Sequence, residues 1–310
     1  MRLVVALGGN AILRRDERGT AAEQRAAIRR ACEGLAELAM SGDSLVVVHG
    51  NGPQVGALLL QHAAAAAAVP PMPLDVLVAQ TQGGLGYVLQ RELSSALLDR
   101  DVDRPVVSLV TQVVVDPSDP AFLRPTKPIG PHLSAAQAGD LRRSGVAVAE
   151  VPGGAWRRVV PSPRPRAILE EGAIRMLVEG GVVVIAAGGG GVPIVRDEAG
   201  FHGVEGVVDK DLAAALVADV VGAHALVILT DVERVLLDRG TRSERPVATL
   251  TVAEASEALA NGQFPAGSMG PKIEAAIAAA RAGRKAIIAS LENAAKALDG
   301  AGTEIVRDPR

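Results

Sequence analysis

The sequence of 310 residues predicts an α/β protein with an open, mainly parallel sheet that is covered by helices on both sides. Short Val/Ile/Leu runs alternate with longer Ala/Leu/Glu/Arg segments along the whole chain. The short runs are apolar throughout rather than alternating, which is typical of parallel strands that are buried on both faces. A proline-rich stretch interrupts this rhythm once and predicts a small inserted subdomain.

The apolar runs predict the strands, and capping residues between them predict where helices begin. Thr20 with Glu23 and Thr251 with Glu254 have the spacing of capping boxes and predict two helix starts. The predicted strands lie at residues 3–7, 45–48, 106–110, 146–151, 182–186, 226–229 and 286–289. Strand and helix therefore repeat in βαβ order, as a parallel sheet requires.

The stretch from about residue 116 to residue 165 contains nine prolines and breaks the repetition. Proline fixes φ and removes a backbone donor, so such a stretch does not belong in a central strand or a helix interior. We expect a small subdomain or lid in this stretch, inserted after the apolar strands at residues 106–115.

Composition excludes several classes of protein. Apolar residues make up 48% of the chain and charged residues 22%, and the formal net charge is -3, which gives no basic footprint for nucleic acid. Cys32 is the single cysteine, which excludes an internal disulfide framework and a cysteine zinc cluster, and we expect it to be a small buried apolar residue. No apolar run reaches the roughly 18 residues that span a bilayer, and no signal peptide is recognisable, so we expect no membrane partner and a cytoplasmic protein.

Glycines follow three of the predicted strands, where parallel sheets bind their ligands. The three loops are Gly8-Gly9-Asn10-Ala11, Gly50-Asn51-Gly52 and the four glycines of residues 188–191. One such loop is explained by turn chemistry, but three after parallel strands favour an anion site built from backbone N–H groups. The P-loop motif and the G-x-G-x-x-G fingerprint after the first strand are both absent, so the usual nucleotide fingerprints do not apply.

Lys127 lies within Pro-Thr-Lys-Pro-Ile-Gly-Pro, residues 125–131. Three prolines predict a stiff loop that presents one cation with few conformations to lose on binding. The alternative is a solvated surface lysine in a proline-rich turn.

Two other lysines stand at predicted helix starts. Lys210 is flanked by Asp209 and Asp211, whose carboxylates suit the positive end of a helix dipole; the alternative is a capping aspartate beside a solvated lysine. Lys272 follows Gly267-Ser268-Met269-Gly270-Pro271, and a cation at a helix N-terminus is unfavourable unless an anion lies nearby.

Patterns for metal binding and for nucleophilic catalysis are missing. The five histidines show no HExxH-like spacing and no serine lies in G-x-S-x-G, so no protein metal cluster and no acid–base dyad is predicted. Cations and backbone donors without a general base fit phosphoryl transfer to an acceptor that is already ionised.

Taken together and in this order, the motifs resemble those of the carbamate kinases within the amino-acid kinase family. They are Ala-Leu-Gly-Gly-Asn-Ala at 6–11, Val-His-Gly-Asn-Gly-Pro-Gln-Val-Gly at 48–56, Pro-Pro-Met-Pro-Leu-Asp at 70–75, Thr-Gln-Val-Val-Val-Asp at 111–116, the heptapeptide at 125–131, Arg-Arg-Val-Val-Pro-Ser-Pro at 157–163, Asp-Lys-Asp-Leu-Ala at 209–213, Thr-Asp-Val at 230–232 and Gly-Ser-Met-Gly-Pro-Lys at 267–272. The resemblance covers essentially the whole chain.

The resemblance implies a three-layer αβα sandwich in a single domain, residues 1–310, usually as a homodimer, with an inserted lid subdomain at about residues 116–161. Residues 1 to about 180 would bind carbamate or carbamoyl phosphate, and about 181–310 would bind ATP or ADP with Mg²⁺. The reaction would be reversible phosphoryl transfer, run either for ATP formation in nitrogen-compound catabolism or toward carbamoyl phosphate. Related kinases often carry a lysine at the position of Ala6, and Lys127 would supply that charge.

Site residues follow from the motifs and the resemblance together. We expect catalytic roles for Lys127, Lys210, Lys272 and Asp211, and substrate binding by Gly8, Gly9, Asn10, Gly50, Asn51 and Gly52. Nucleotide binding is expected at Lys210, Asp231, Gly267, Ser268, Met269 and Lys272. Glu233-Arg234 replaces an Asp-Gly pair that is frequent in the family, at the expected adenine pocket.

Three other functions remain open from the sequence. The chain could be another amino-acid kinase that phosphorylates acetylglutamate or a related carboxylate, or a non-catalytic nucleotide-binding regulator. A nicotinamide oxidoreductase is a more distant alternative.

Overall fold

The computed structural model describes residues 1–9, 12–13, 17–40, 43–151, 154–265 and 267–309. The strands are β1 (Arg2–Leu7), β2 (Ser44–His49), β3 (Val106–Ser108), β4 (Gln112–Val115), β5 (Lys127–Leu133), β6 (Val148–Val151), β7 (Ala155–Val160), β8 (Pro165–Ile168), β9 (Val183–Ile185), β10 (Val192–Asp197), β11 (Gly200–Gly203), β12 (Ala225–Thr230), β13 (Val235–Leu237), β14 (Arg245–Val247), β15 (Thr249–Thr251), β16 (Lys285–Ser290) and β17 (Thr303–Val306). The α-helices are α1 (Ala21–Met40), α2 (Gly52–Ala65), α3 (Leu74–Leu98), α4 (Ala135–Arg143), α5 (Glu171–Glu179), α6 (Lys210–Val220), α7 (Val252–Ala260) and α8 (Met269–Arg281).

An eight-stranded sheet forms the centre, in the order β15-β17-β16-β12-β1-β2-β9-β3. The six strands from β16 to β3 are mutually parallel, and β17 pairs antiparallel to β16 at one side. The carboxyl ends of β1, β2 and β12 therefore meet at one edge. The prediction of an α/β protein with a mainly parallel open sheet is confirmed.

Side chains of the central strands alternate between two apolar layers, as a sheet covered on both faces requires. In β1, Val4 and Ala6 belong to one core cluster, whereas Leu3, Val5 and Leu7 belong to the other. Helices α6 and α8 cover the first layer, and α1 and α3 cover the second. The result is a three-layer αβα sandwich.

Cys32 lies in the second layer between α1 and α3. It is fully buried, and its Sγ lies 3.8 Å from the carbonyl oxygen of Leu89. Burial raises the pKa of the thiol, so the group stays protonated. The expectation of a small buried residue at this position is confirmed.

A three-stranded antiparallel sheet, in the order β5-β7-β6, stands apart from the central sheet together with α4. We call this unit, residues 127–160, the small sheet. The stiff loop predicted at residues 125–131 is wrong in part, because Lys127 begins the edge strand β5, and an edge strand tolerates Pro128 and Pro131.

The strand predicted at residues 146–151 is also assigned to the wrong sheet, because β6 pairs antiparallel to β7 in the small sheet. A short apolar run predicts a strand but does not say which sheet it joins. Both predicted capping boxes are present: the Thr251 side chain accepts the Glu254 N–H, and Thr20 accepts that of Glu23. None of the described helices is long and apolar enough to cross a membrane.

Candidate active site

Two lysines from different helices share one carboxylate at the N-terminus of α6. Lys210, in the first turn of α6, pairs with Oδ1 of Asp211, and Nζ of Lys272 from α8 lies 3.1 Å from Oδ2 of the same residue. The side chains of Lys210 and Lys272 are only 9% and 12% exposed. Asp211 thereby fixes two cations side by side, although they are far apart in the chain.

Lys127 reaches the same cluster from the small sheet. Its ammonium group pairs with Oδ2 of Asp209, and Oδ1 of Asp209 accepts the backbone N–H of Asp211 at 2.9 Å as the N-cap of α6. The structure therefore brings Lys127, Lys210 and Lys272 into one continuous network of ion pairs. We call these three lysines with Asp209 and Asp211 the lysine cluster.

Burial and neighbouring charges shift the pKa values of Asp209, Lys210 and Lys272 in the lysine cluster. Burial lowers the pKa of Lys210 to about 8, against the opposing pull of Asp211, and the charge of Lys272 acts in the same direction as burial. Burial also lowers the pKa of Lys272, but Asp211, Asp209 and Asp231 outweigh it and raise the pKa above the ordinary value. Burial pushes the pKa of Asp209 upward, yet Lys127 and Lys210 hold it below its usual range. The cluster contains three lysines and two aspartates, so its formal charge is positive by one.

The loops after β1 and β2 lie against the lysine cluster. The Gly8 N–H donates to the carbonyl of Leu229 at 2.9 Å, and the Gly50 N–H donates to that of Leu7 at 3.2 Å. A Cβ placed on Gly50 would lie 3.3 Å from Cδ of Lys210 and 3.5 Å from the nitrogen of Gly9. The predicted substrate loops therefore border Lys210, but the N–H groups of Gly8 and Gly50 already donate to backbone carbonyls, so the predicted anion donors are not these two groups. Asn10 and Ala11 lie outside the described residues.

Strand β5 lies between loops from the two halves of the chain. A Cβ on Gly52 would lie 3.6 Å from the carbonyl oxygen of Pro128, and a Cβ on Gly267 would lie 3.9 Å from Cγ of the same proline. Gly56 in α2 meets Gly130 so closely that a Cβ there would come within 2.0 Å of Gly130 Cα. The small sheet thus covers the space between the Gly52 loop and the Gly267 loop.

Asn51 uses its side chain within the protein. The residue is 2% exposed, and Nδ2 donates to Oγ1 of Thr81 in α3 at 2.8 Å. Its neighbour His49 is also buried, with Nδ1 2.9 Å from the carbonyl oxygen of Gly50, and burial lowers its pKa to about 4. Both side chains support the loop after β2 from behind, and the imidazole is neutral at physiological pH.

The four glycines after β9 differ from the other two loops. All four are buried, and a Cβ on Gly189 or Gly190 would collide with Asn51 or with the backbone of Val208. The N–H groups of Gly190 and Gly191 donate to carbonyls within the same turn. The anion role predicted for this loop is therefore wrong for those two N–H groups, and close packing explains the glycines.

The predicted nucleotide residues lie at the start of α8 and after β12. Helix α8 begins at Met269, with Ser268 as the exposed N-cap residue, and Nζ of Lys272 lies 3.3 Å from the Ser268 carbonyl oxygen. Asp231 is exposed and accepts the Thr230 hydroxyl at 3.2 Å.

A cleft of about 570 Å³ is lined by residues that include Val232, which follows Asp231 in the chain. Its lining residues are Val232, Glu233, Arg234, Leu236, Pro246, Asn293, Ala301 and Gly302. Among the described residues, no group of three His, Cys, Asp or Glu side chains is arranged to hold a metal ion.

Sequence reasoning missed Asp209 as the partner of Lys127. The residue was visible as half of an Asp-Lys-Asp motif at a helix start, which predicts an N-cap. Its second oxygen pairs with a residue 82 positions away, and no local pattern predicts that contact.

Comparison with known proteins identifies the family of the chain. The model of the amino acid kinase family matches residues 1–290. The chain is 45% identical to a carbamate kinase of Thermococcus kodakarensis, with 99% of each protein covered, and 44% identical to carbamate kinase 2 of Enterococcus faecalis, with 97% of each covered. The solved structure of carbamate kinase from Giardia lamblia bound to citric acid superposes with a TM-score of 0.93 at 40% identity, covering 99% of this chain and 98% of that one. The chain belongs to the amino acid kinase family.

Proposed function

We propose that this protein is a carbamate kinase, which transfers a phosphoryl group reversibly between ATP and carbamate to give ADP and carbamoyl phosphate. The observation that carries the proposal is the convergence of Lys127, Lys210 and Lys272 on Asp209 and Asp211 beside the Gly9 and Gly50 loops. Similarity to carbamate kinases over nearly the full length supports the choice of substrate.

Carbamate would lie over the loops of Gly9 and Gly50, with its carboxylate directed at the γ-phosphorus of ATP. That carboxylate is already ionised, so the reaction needs no general base, which agrees with the neutral, buried state of His49. The barrier is electrostatic, because two unit charges 4 Å apart repel by about 4 kcal/mol at an effective dielectric constant near 20.

The lysine cluster offsets this repulsion. Lys210 and Lys272 would contact the transferring phosphoryl group from the side of α6 and α8, and Lys127 from the small sheet. Asp211 keeps the first two at a fixed separation, so that little reorganisation is needed when charge develops in the transition state. The net positive charge of the cluster favours binding of an anion.

Mg²⁺ would accompany ATP and ADP and neutralise charge on the β- and γ-phosphates. The residues present fit a metal that is held mainly by the nucleotide, since Mg²⁺ in such sites uses one or two carboxylates plus phosphates and water. Asp231 is the exposed carboxylate whose charge reaches Lys272, and it would orient the nucleotide or metal-bound water.

The same proposal includes the organisation of the chain. Residues 1 to about 180 would hold carbamate and about 181–310 the nucleotide, with about 116–161 as a lid; Pro128, between Gly52 and Gly267, supports that division. A homodimer is proposed from the family resemblance; Tyr87 and Leu98 in α3, which are 60% and 75% exposed, are apolar side chains that such an interface could cover.

A coupled assay with carbamoyl phosphate, ADP and Mg²⁺ tests the function. We expect ATP to form in proportion to enzyme and in excess of a control without protein, and no comparable ADP release from ATP with acetylglutamate or aspartate. Turnover with one of those carboxylates in place of carbamate would identify a different amino-acid kinase. Nucleotide binding without any turnover would identify a regulator.

A further inference from the structure

We propose that Asp209 is a positioning residue that holds Lys127 over the site and links the small sheet to the N-terminus of α6. The proposal rests on the carbamate kinase function given above. It assigns no contact with substrate to Asp209, which acts through Lys127.

The two oxygens of Asp209 have separate partners. Oδ1 accepts the Asp211 N–H at 2.9 Å, which fixes the carboxylate to the first turn of α6, and Oδ2 pairs with Lys127. The Asp209 side chain is 10% exposed, so its position is set by the surrounding protein. The ammonium group of Lys127 is therefore tied to a fixed point of the central fold.

Asp211 is not available for this task. Its Oδ1 pairs with Lys210 and its Oδ2 with Lys272, so both oxygens are already matched to lysines. Among the described residues, Asp209 is the carboxylate in ion-pair contact with Lys127. The cluster thus divides its work, with Asp211 holding the two lysines of the helices and Asp209 holding the lysine of the small sheet.

Lys127 needs such an anchor more than the other two lysines do. A lysine side chain is among those that lose the most rotamer entropy when they are fixed, and Lys127 begins an edge strand of a small sheet. An ammonium group has three donors, so Lys127 can keep Asp209 as one partner and offer the other donors to a phosphoryl oxygen. The ion pair sets the direction from which that charge arrives.

Asp209→Asn removes the negative charge that pairs with Lys127 but keeps an oxygen that can cap α6. Asparagine caps helices as well as aspartate does, and its oxygen can still accept the Asp211 N–H, but the attraction for Lys127 is lost. We expect kcat to fall by about 10- to 100-fold, as for a misplaced catalytic group. KM for ADP should change by less than about threefold, because Lys210, Lys272 and Asp211 remain in place. Asp209→Ser, which also keeps a capping oxygen, is the second variant, and thermal unfolding of both checks that they fold.

A matched control is Asp119→Asn. Asp119 caps the short helical turn Pro120–Phe122 in the same way, with its carboxylate accepting the N–H groups of Ala121 and Arg164, but among the described residues it pairs with no lysine. This variant should keep wild-type kcat. A loss as large as that of Asp209→Asn would show that cap chemistry alone explains the effect and would overturn the proposal.

The decisive measurement combines Asp209→Asn with Lys127→Ala. If Asp209 acts through Lys127, the double variant should have the kcat of Lys127→Ala within about twofold, because a positioning residue has nothing left to position. Equal losses from Asp209→Asn in both backgrounds, or full kcat in the single variant, would refute the inference. Failure of the proposed function is recognised separately, since the wild-type protein would then produce no ATP in the same assay.

Discussion

The N-terminus of α6 and the small sheet deliver cations to the same cluster in opposite ways. Lys210 comes from a helix packed in the main core, is 9% exposed, and has a pKa lowered by burial to about 8. Lys127 comes from an edge strand outside the central sheet, is 21% exposed, and pairs with one carboxylate, that of Asp209, among the described residues. Lys210 is held in place by burial, which also lowers its pKa, whereas Lys127 is positioned by the small sheet.

This difference shows why a phosphoryl site draws its charges from two sources. Desolvating an ammonium group is costly unless carboxylates offset it, so a third fully buried lysine would need a further buried carboxylate. Lys127 has such a partner in Asp209, and on the small sheet it also keeps more contact with water than Lys210 does. Lys210 and Lys272 are fixed by Asp211 in the main fold, and the small sheet adds Lys127 as the third cation.

The largest effect is expected from removing the cation of the small sheet. Lys127→Ala should lower kcat by about 10²–10³, as for loss of one transition-state donor, while the thermal unfolding midpoint stays near that of the wild type. The measurement is steady-state ATP formation from carbamoyl phosphate and ADP. Lys296→Ala, at an exposed lysine of the segment Leu291–Asp299, is the control. Full activity of Lys127→Ala would mean that the helices alone supply the charge.

A smaller effect is expected from moving the small sheet without changing any charge. In Gly56→Ala the new Cβ would meet Gly130 at 2.0 Å, so β5 has to shift away from α2. We expect about 1–3 kcal/mol of destabilisation from overpacking and about a tenfold loss of kcat from displacement of Lys127. Denaturant unfolding and kcat measure the two effects. Gly172→Ala in α5 adds the same methyl group where no atom lies within 4 Å, and should leave kcat unchanged.

The last effect is that of pH; it is the smallest of the three near neutral pH, and it tests the buried lysine of the contrast. Lys210 loses its proton as pH rises through about 8, so kcat/KM should fall by about tenfold per pH unit above that value. Between pH 8 and the ordinary lysine value of 10.5, the unfolded chain binds more protons at this site than the folded protein does. The contribution of Lys210 to stability therefore rises over the same range, so unfolding does not explain the loss. A profile that stays flat from pH 7 to 9.5 would contradict the assignment.

Much of the fold was predictable because its signals are local. The strands at residues 3–7, 45–48, 226–229 and 286–289 are apolar throughout, and all four lie inside the parallel sheet. Capping residues such as Thr251 marked helix starts. The sequence also singled out Lys127, Lys210 and Lys272, because each stands in a local context that a surface lysine does not require.

The rest depended on contacts between distant parts of the chain. The Lys127–Asp209 pair joins residues 82 positions apart, and the glycines of residues 188–191 face Asn51, Val113 and Val208. The residues next to them in the sequence do not predict these contacts. Residues 146–151 were predicted as a strand of the central sheet, because a short run of valines fits either sheet equally well. Such choices are made by tertiary packing.

The buried thiol of Cys32 can serve as a chemical probe of how often the αβα core opens. Because the sulfur is enclosed between α1 and α3, an alkylating reagent can reach it only after those helices separate. With only one cysteine in the chain, every modified molecule records that single event. At fast reclosing, the ratio of the observed alkylation rate to that of an open thiol gives the free energy of this opening, and its dependence on denaturant distinguishes local from global unfolding.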